Sequence, residues 1–192
     1  MSGRPGARGS APRVVALGGG HGLAASLQSL RHLTEEITAV VTVADDGGSS
    51  GRLREEFDVL PPGDLRMALA ALCEDTAWGH QWSAVLQHRL GGSGELAGHA
   101  LGNLLIMGLW EILDNPVRGL DLVGRLLNTR GRVLPMCEVP LDIEATVLGA
   151  DPSSPEEMSV VKGQSKVAGS PGRVMSVRIV PEEPPASEDA LE

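Results

Sequence analysis

The chain is poor in aromatic residues. Of 192 residues none is Tyr, one is Phe and three are Trp. Single-stranded nucleic acid is held largely by base stacking on aromatic rings, so a general strand-binding role is disfavoured. Positive charge is also short, with a net charge of −9. A nucleic-acid polymer draws its affinity from Lys and Arg on phosphates, and a protein this acidic is not expected to bind one. Cysteine is nearly absent. Cys73 and Cys137 stand far apart with no paired spacing, which excludes a disulfide framework or a Cys-based zinc site and reads as two reduced thiols of a core. No apolar run approaches the roughly 20 residues of a membrane helix, so membrane insertion is not expected. The N-terminal stretch carries Gly, Arg, Pro and Ser but no apolar segment of signal-peptide type. We read residues 1–12 as a disordered leader.

What is present is enough for one domain. Hydrophobic residues make up 42% of the chain, sufficient for a core. Arg13 to Leu17 is short, mostly apolar and β-branched and ends at Gly18-Gly19-Gly20, as a buried strand of an α/β unit would. Leu23, Leu27 and Leu30 have helical spacing and predict a helix over 23–33. Ile37 to Val43 is a second apolar run without alternation. Strand, glycine turn, helix and strand make a βαβ unit and hence a parallel sheet. Further helices are expected over 52–57, from Asp64 to about Glu74, and over 78–90, 97–113 and 117–127. From Gly131 onward the texture becomes that of short strands, over 132–137, 141–148, 160–167 and 173–180, separated by Pro, Gly and Ser. The last residues, 181–192, are acidic and Pro-rich and are expected to be disordered or frayed. The reading is therefore one α/β domain over 13–180 with a Rossmann-like parallel core, a helical insertion and a strand-rich C-terminal segment.

Four stretches carry more chemistry than a scaffold needs. The first is Gly18, Gly19, Gly20, His21 and Gly22. Gly20-His21-Gly22-Leu23-Ala24-Ala25 fits a Gly-x-Gly-x-x-Ala turn between strand and helix, where the missing Cβ lets a phosphate approach backbone N–H groups. Its plain alternative is a tight turn with a solvated His21. The second is Asp45, Asp46, Gly47, Gly48, Ser49, Ser50, Gly51 and Arg52. An acid at the end of a second strand can hold a ribose, and Asp45 follows Gly20 by 25 residues, near the usual interval of about 20. The glycines and serines that follow look instead like a second nest of anion donors. Asp45 and Asp46 could also hold Mg²⁺ beside a phosphate. An Asx turn and helix cap would explain part of the stretch without a ligand. The third is Pro61-Pro62-Gly63-Asp64-Leu65-Arg66, in which Asp64 is either a helix cap or a functional carboxylate and Arg66 a surface charge or a ligand contact. The fourth is Asn103 in an apolar helix, which must be hydrogen-bonded if buried. No Ser-His-Asp or His-Glu-x-x-His arrangement and no phosphate-loop lysine is visible, so no catalytic residue is assigned.

These motifs resemble a known family. Gly18 to Leu23, Val41 to Arg54, Pro61 to Arg66 and Gly98-His99-Ala100-Leu101-Gly102-Asn103-Leu104-Leu105 are similar to the YvcK-type gluconeogenesis factors of the CofD-like (2-phospho-lactate transferase) superfamily. His21 in place of the more common Thr, together with Pro61–Leu72, Trp110-Glu111 and Gly131–Met136, resembles the actinobacterial branch. The resemblance implies a cytoplasmic, Rossmann-like regulatory protein that binds a nucleotide sugar of the UDP-N-acetylglucosamine type. It also implies roles in gluconeogenic growth, cell shape and envelope metabolism. The loops at 18–22 and 45–52 would hold the ligand, and Asn103 would line the pocket. The superfamily's enzymes use Mg²⁺ to transfer a phospholactyl group from a nucleotide to a deazaflavin precursor, and the scarcity of aromatics leans against that chemistry here. A nicotinamide-dependent Rossmann oxidoreductase is the reading from spacing alone, and the Gly47–Gly51 run speaks against it. Family members continue beyond the region of Pro184-Pro185-Ala186, so the sheet is expected to be incomplete. A truncated, non-binding form, or a homo-oligomer that covers the exposed face, is the corresponding expectation.

Overall fold

A computed structural model describes residues 11–192. Ten of the twelve residues read as a leader, 1–10, lie outside the described part. The first sheet is built from β1 (Val14–Gly18), β2 (Ile37–Val41) and β3 (Arg132–Pro135), in the order β1-β2-β3 and parallel throughout. Val14 pairs with Ile37 and Thr38 with Arg132. The predicted βαβ unit is present, with α1 (Gly20–Leu30) as its crossover.

The second crossover, from β2 to β3, carries the helical insertion: α2 (Gly48–Phe57), α3 (Pro62–Leu72), α4 (Ala77–Gln87), α5 (Leu101–Leu113) and α6 (Pro116–Leu127). Its centre is α3, which touches α1, α2, α4, α5 and α6 as well as β2 and β3. The sequence of α3 explains that position. Alanines at 68, 70 and 71 let neighbours approach closely, while Leu65, Leu69 and Leu72 fill the space between them. The core joins these residues to Leu23, Leu27, Val41, Leu86, Ile106, Trp110, Leu120 and Leu127. At roughly 25 cal/mol per Å² of apolar surface, each fully buried Leu contributes about 2 kcal/mol. Cys73 and Cys137 are free and buried, as expected of core thiols.

The strand-rich segment forms a separate antiparallel sheet of β4 (Asp142–Leu148), β5 (Met158–Lys162) and β6 (Arg173–Val180), in the order β5-β4-β6. The expected strand over 160–167 ends early. Gly163 takes a φ of 97°, and Gln164–Ala168 turns into a short helix, α7. One face of each sheet is apolar and uncovered. Val15 and Leu17 of β1 are 65% and 75% exposed, and Val160, Val177 and Ile179 are also exposed. A parallel sheet is normally covered on both faces.

Three further expectations are corrected. Residues 47–51 are not an open nest: the backbone is already helical from Gly48, because Gly51 N–H donates to Gly47 C=O and starts α2 there. The tail at 181–192 is not frayed. Ala186 bridges Cys137, Ser187 N–H donates to Met136 C=O, and Ser187 Oγ donates to Glu138. Arg132 meets Asp189 at 2.8 Å, and Glu188–Leu191 forms a last helical turn, α8. The docking uses backbone bonds and one ion pair, neither of which needs the apolar periodicity that the tail lacks. The helix expected from Ala97 starts instead at Leu101, since residues 98–101 run antiparallel to 88–90.

Candidate functional site

Four helices of the first layer begin at one place. Their N-cap residues are Gly19 (α1), Gly47 (α2), Pro61 (α3) and Ala100 (α5), and none makes a side-chain cap. Gly, Pro and Ala have no side-chain acceptor, so first-turn N–H groups are left without the usual partner. Between these four starts lies a cleft of about 300 Å³ lined by Gly20, His21, Asp45, Gly47, Gly48, Ser49, Ser50, Gly63, Asp64, Arg66, Met67, Arg89 and Asn103.

A chain of hydrogen bonds forms its floor. Arg66 Nε donates to Asn103 Oδ1 at 2.8 Å, and Arg66 Nη1 donates to Gln87 Oε1. Asn103 Nδ2 donates to Ser49 Oγ at 2.9 Å, and Ala100 N–H donates to the same oxygen. With two donors already on it, Ser49 Oγ directs its own proton to His99 Nδ1, 3.0 Å away. The His99 proton is therefore placed on Nε2. Burial, and then the charge of Arg52, keeps this histidine below its ordinary pKa. A Ser beside a His suggests a nucleophile and base, but Ser49 is 3% exposed and fully bonded. Its hydroxyl orders the floor and does not attack.

Arg66 is 5% exposed, and its stem passes α5 where residue 102 is Gly. A Cβ on Gly102 would come within 2.9 Å of Arg66 Cδ and 2.8 Å of the Leu86 backbone. Burial, followed by repulsion from Arg89, lowers the guanidinium to about 10. Opposite in sign are Asp45 and Asp64. Asp45 Oδ1 accepts from Gly47 N–H at 3.0 Å. Asp64 lies against Gly20 N–H and Thr42, yet burial and then Asp45 raise its carboxyl above the usual range. The pair that faces the cleft is thus Asp45 with Asp64. Asp46 turns away, and its Oδ1 accepts from Ser165 N–H at 2.8 Å, tying α7 and the second sheet to this loop. Among the described residues no group of three metal-ligating side chains exists. A Mg²⁺ on Asp45 and Asp64 would need oxygens from its ligand or from water.

The residues singled out from sequence divide accordingly. Gly20, His21, Asp45, Gly47, Gly48, Ser49, Ser50, Asp64, Arg66 and Asn103 meet at the cleft, whereas Gly18, Gly19, Gly22, Asp46 and Arg52 are outside its lining. Arg52 instead donates to the carbonyls of Glu95 and Ala97 and braces that loop. Gly63, Met67 and Arg89 complete the lining. For Gly63 the signal was its place in the Pro61–Arg66 motif. For Arg89 there was none, since the position follows from the pairing of 88–90 with 98–101.

Comparisons with known proteins agree with this architecture. A family model described as 2-phospho-L-lactate transferase CofD matches residues 14–192. A putative gluconeogenesis factor of Mycobacterium leprae is 56% identical over 184 residues, 96% of this chain and 51% of that protein. The Mycobacterium tuberculosis counterpart is 58% identical over 93% of this chain and 52% of its own length. The Bacillus subtilis gluconeogenesis factor is 37% identical over 91% and 52%. A crystal structure of a Bacillus halodurans protein superimposes with a TM-score of 0.81 at 36% identity, covering 93% of this chain and 54% of that one. The chain spans about half the length of the relatives it matches. Among the described residues no helix is long and apolar enough to cross a membrane.

Proposed function

The chain belongs to the 2-phospho-L-lactate transferase CofD family, and on that premise we propose that it acts as a gluconeogenesis factor whose cleft binds a nucleotide diphosphate sugar of the UDP-N-acetylglucosamine type. Its curated relatives carry the name gluconeogenesis factor. The observation that supports the reading best is the convergence of four helix starts without side-chain caps around the buried Arg66. Free first-turn N–H groups and a guanidinium are what a diphosphate requires. The proposed setting is cytoplasmic, and the proposed role is regulatory: ligand occupancy would report envelope-precursor supply to gluconeogenic growth and cell shape.

The facing of Asp45 and Asp64 favours a second reading, Mg²⁺-dependent transfer from a nucleotide. In that case these two carboxylates would hold the ion, which would neutralise phosphate charge. The cleft lining contains no Phe, Tyr or Trp to stack a flavin-like acceptor, which ranks transfer second.

Isothermal titration with UDP-N-acetylglucosamine, GTP and NAD, each with and without Mg²⁺, tests the proposal. Heat from the UDP-sugar and none from NAD is expected. Binding of NAD alone, or of no nucleotide, would overturn it. Asp46→Asn is expected to loosen α7 and leave the affinity nearly unchanged, because Asp46 bonds Ser165 and not the cleft.

A further inference from the structure

The insertion buries a cation without giving it a counter-ion. Arg66 lies on α3, which is otherwise apolar beyond its first turn, and is 5% exposed. Two of its guanidinium nitrogens are held by amide oxygens, those of Asn103 and Gln87. These partners are neutral. Among the described residues no carboxylate oxygen comes within the 4.0 Å of an ion pair with it. Its third nitrogen, Nη2, has no hydrogen-bond partner among the described residues and belongs to a side chain that lines the cleft.

A buried guanidinium bonded only to amides is an incomplete arrangement, because desolvation of a charge is normally offset by an opposite one. Asp64 and Asp45 act on Arg66 through space, each more weakly than Arg89 acts against it. Both acids are also occupied, by Gly47 N–H in one case and by Gly20 N–H and Thr42 in the other. Arg89 adds a second guanidinium at the same cleft. Its Nη1 is spent on Gly98 C=O at 2.8 Å, a neutral acceptor. Beside both arginines stands the first turn of α2, whose Gly48, Ser49 and Ser50 N–H groups have no cap. Gly48 holds a φ of 49°, a conformation that suits glycine, and a Cβ there would meet nothing within 4 Å. The site is open where an anion would sit.

We propose that Arg66 and Arg89, with the first turn of α2, form a phosphoryl subsite that selects ligands carrying a diphosphate. The proposal deepens the nucleotide-sugar reading and rests on it for the rest of the ligand. Guanidinium forks match phosphate oxygens two at a time, and backbone N–H groups supply the remaining donors. Asn103 is a positioning residue in this scheme. It fixes the Arg66 fork through Nε, and Ser49 fixes Asn103 in turn.

The probe is inorganic pyrophosphate, titrated calorimetrically into the full chain with and without Mg²⁺, alongside the UDP-sugar. Wild type is expected to bind pyrophosphate in at least one condition. Arg89→Gln, an exposed position, should weaken it about tenfold, the loss of one charge-assisted contact. Arg66→Gln should weaken it about a hundredfold, and Arg66→Lys should recover part of that. Arg173→Gln on β6 is the control for net charge and should change nothing. A circular dichroism melt checks that each variant is folded. If Arg66→Gln does not fold, Arg89→Gln decides. The subsite is overturned if wild type binds no pyrophosphate, or if Arg89→Gln and the control behave alike. If the UDP-sugar binds independently of both arginines, the subsite fails while the nucleotide-sugar reading stands. Arginine-dependent pyrophosphate binding without UDP-sugar binding reverses that outcome.

Discussion

The four helices that open on the cleft begin differently from α4 and α6, the two other long helices of the insertion. At the cleft the cap positions are Gly19, Gly47, Pro61 and Ala100. Away from it, α4 starts at Thr76, which accepts from Gly79 N–H at 3.1 Å, and α6 starts at Asn115, which accepts from Arg118 N–H at 2.7 Å. A Ser, Thr, Asp or Asn cap contributes about 1 kcal/mol relative to Ala. The same chain therefore uses the stabilising device on one side and forgoes it on the other. Where capping is forgone, the chain itself takes up part of the first turns, Gly20 N–H on Asp64 and Leu101 N–H on His88 C=O, and the start of α2 is the one whose Gly48, Ser49 and Ser50 N–H groups face the cleft without a side-chain cap. Stability and binding have been assigned to different helix ends.

The comparison would be broken most forcefully at Asn103, the residue that holds the cleft's floor together. Asn103→Leu keeps the volume but strands Arg66 Nε and removes a donor from Ser49. Leaving a buried charged group short of a partner costs about 3 kcal/mol. Urea denaturation should show a loss of that size, and pyrophosphate binding should fall with it. A loss below about 1 kcal/mol would mean that Arg66 finds another partner and that the floor is not fixed by Asn103.

The caps themselves give the next largest effect, with opposite signs in the two regions. Thr76→Ala and Asn115→Ala should each lower stability by about 1 kcal/mol and leave ligand affinity unchanged. Gly47→Ser supplies α2 with the acceptor it lacks. Its Cβ would sit 3.2 Å from Ser165 Oγ and 3.3 Å from Asp45 Oδ1, tight but at the ends of side chains. Stability should rise by a few tenths of a kcal/mol, while affinity for pyrophosphate falls. If all three variants lose stability and affinity alike, the division between the regions is an accident of composition. Parallel urea titrations and calorimetry read both quantities.

Much of the fold was legible because it depends on local patterns. Unbroken apolar runs marked β1 and β2, the leucines of α1 marked its buried face, and the glycine turn joined them. The start of α2 was not legible. Gly48-Ser49-Ser50-Gly51 has low helix propensity, and only the Gly47 C=O bond to Gly51 N–H and packing at Leu53 make it helical. Asp46 looked equivalent to Asp45 because neighbours in sequence share a motif. In space they diverge, one toward the cleft and one toward Ser165. Asn103 announced itself as a polar residue in an apolar helix. Arg66 did not announce its burial, because that follows from α3 lying at the centre of seven other elements. Arg89 carried no signal at all.

The smallest expected effect is on pH dependence, and it sharpens the comparison by asking whether the cleft's acids also cost stability. Burial and then Asp45 hold the Asp64 carboxyl above its ordinary value of 3.8. The folded state therefore takes up a proton at a higher pH than the unfolded state does. The sign follows from linkage. Above the raised value Asp64 is ionised in both states, and its ionised form is disfavoured in the fold, so it lowers stability at neutral pH. As the pH falls through the raised value the folded state is protonated first and the cost is relieved. Relief is complete below about 3.8. Asp64→Asn should accordingly raise the melting midpoint at pH 7, and the gain over wild type should shrink as the pH is lowered toward the usual carboxylate range. Asp75 is the contrasting acid at the α4 end. Its hydrogen bond with His80 holds it below the ordinary range, so Asp75→Asn should lower the midpoint at pH 7 slightly. If Asp64→Asn destabilises at pH 7 as well, the bonds from Gly20 N–H and Thr42 outweigh the repulsion from Asp45. In that case the cleft would not be the region where stability has been yielded to binding.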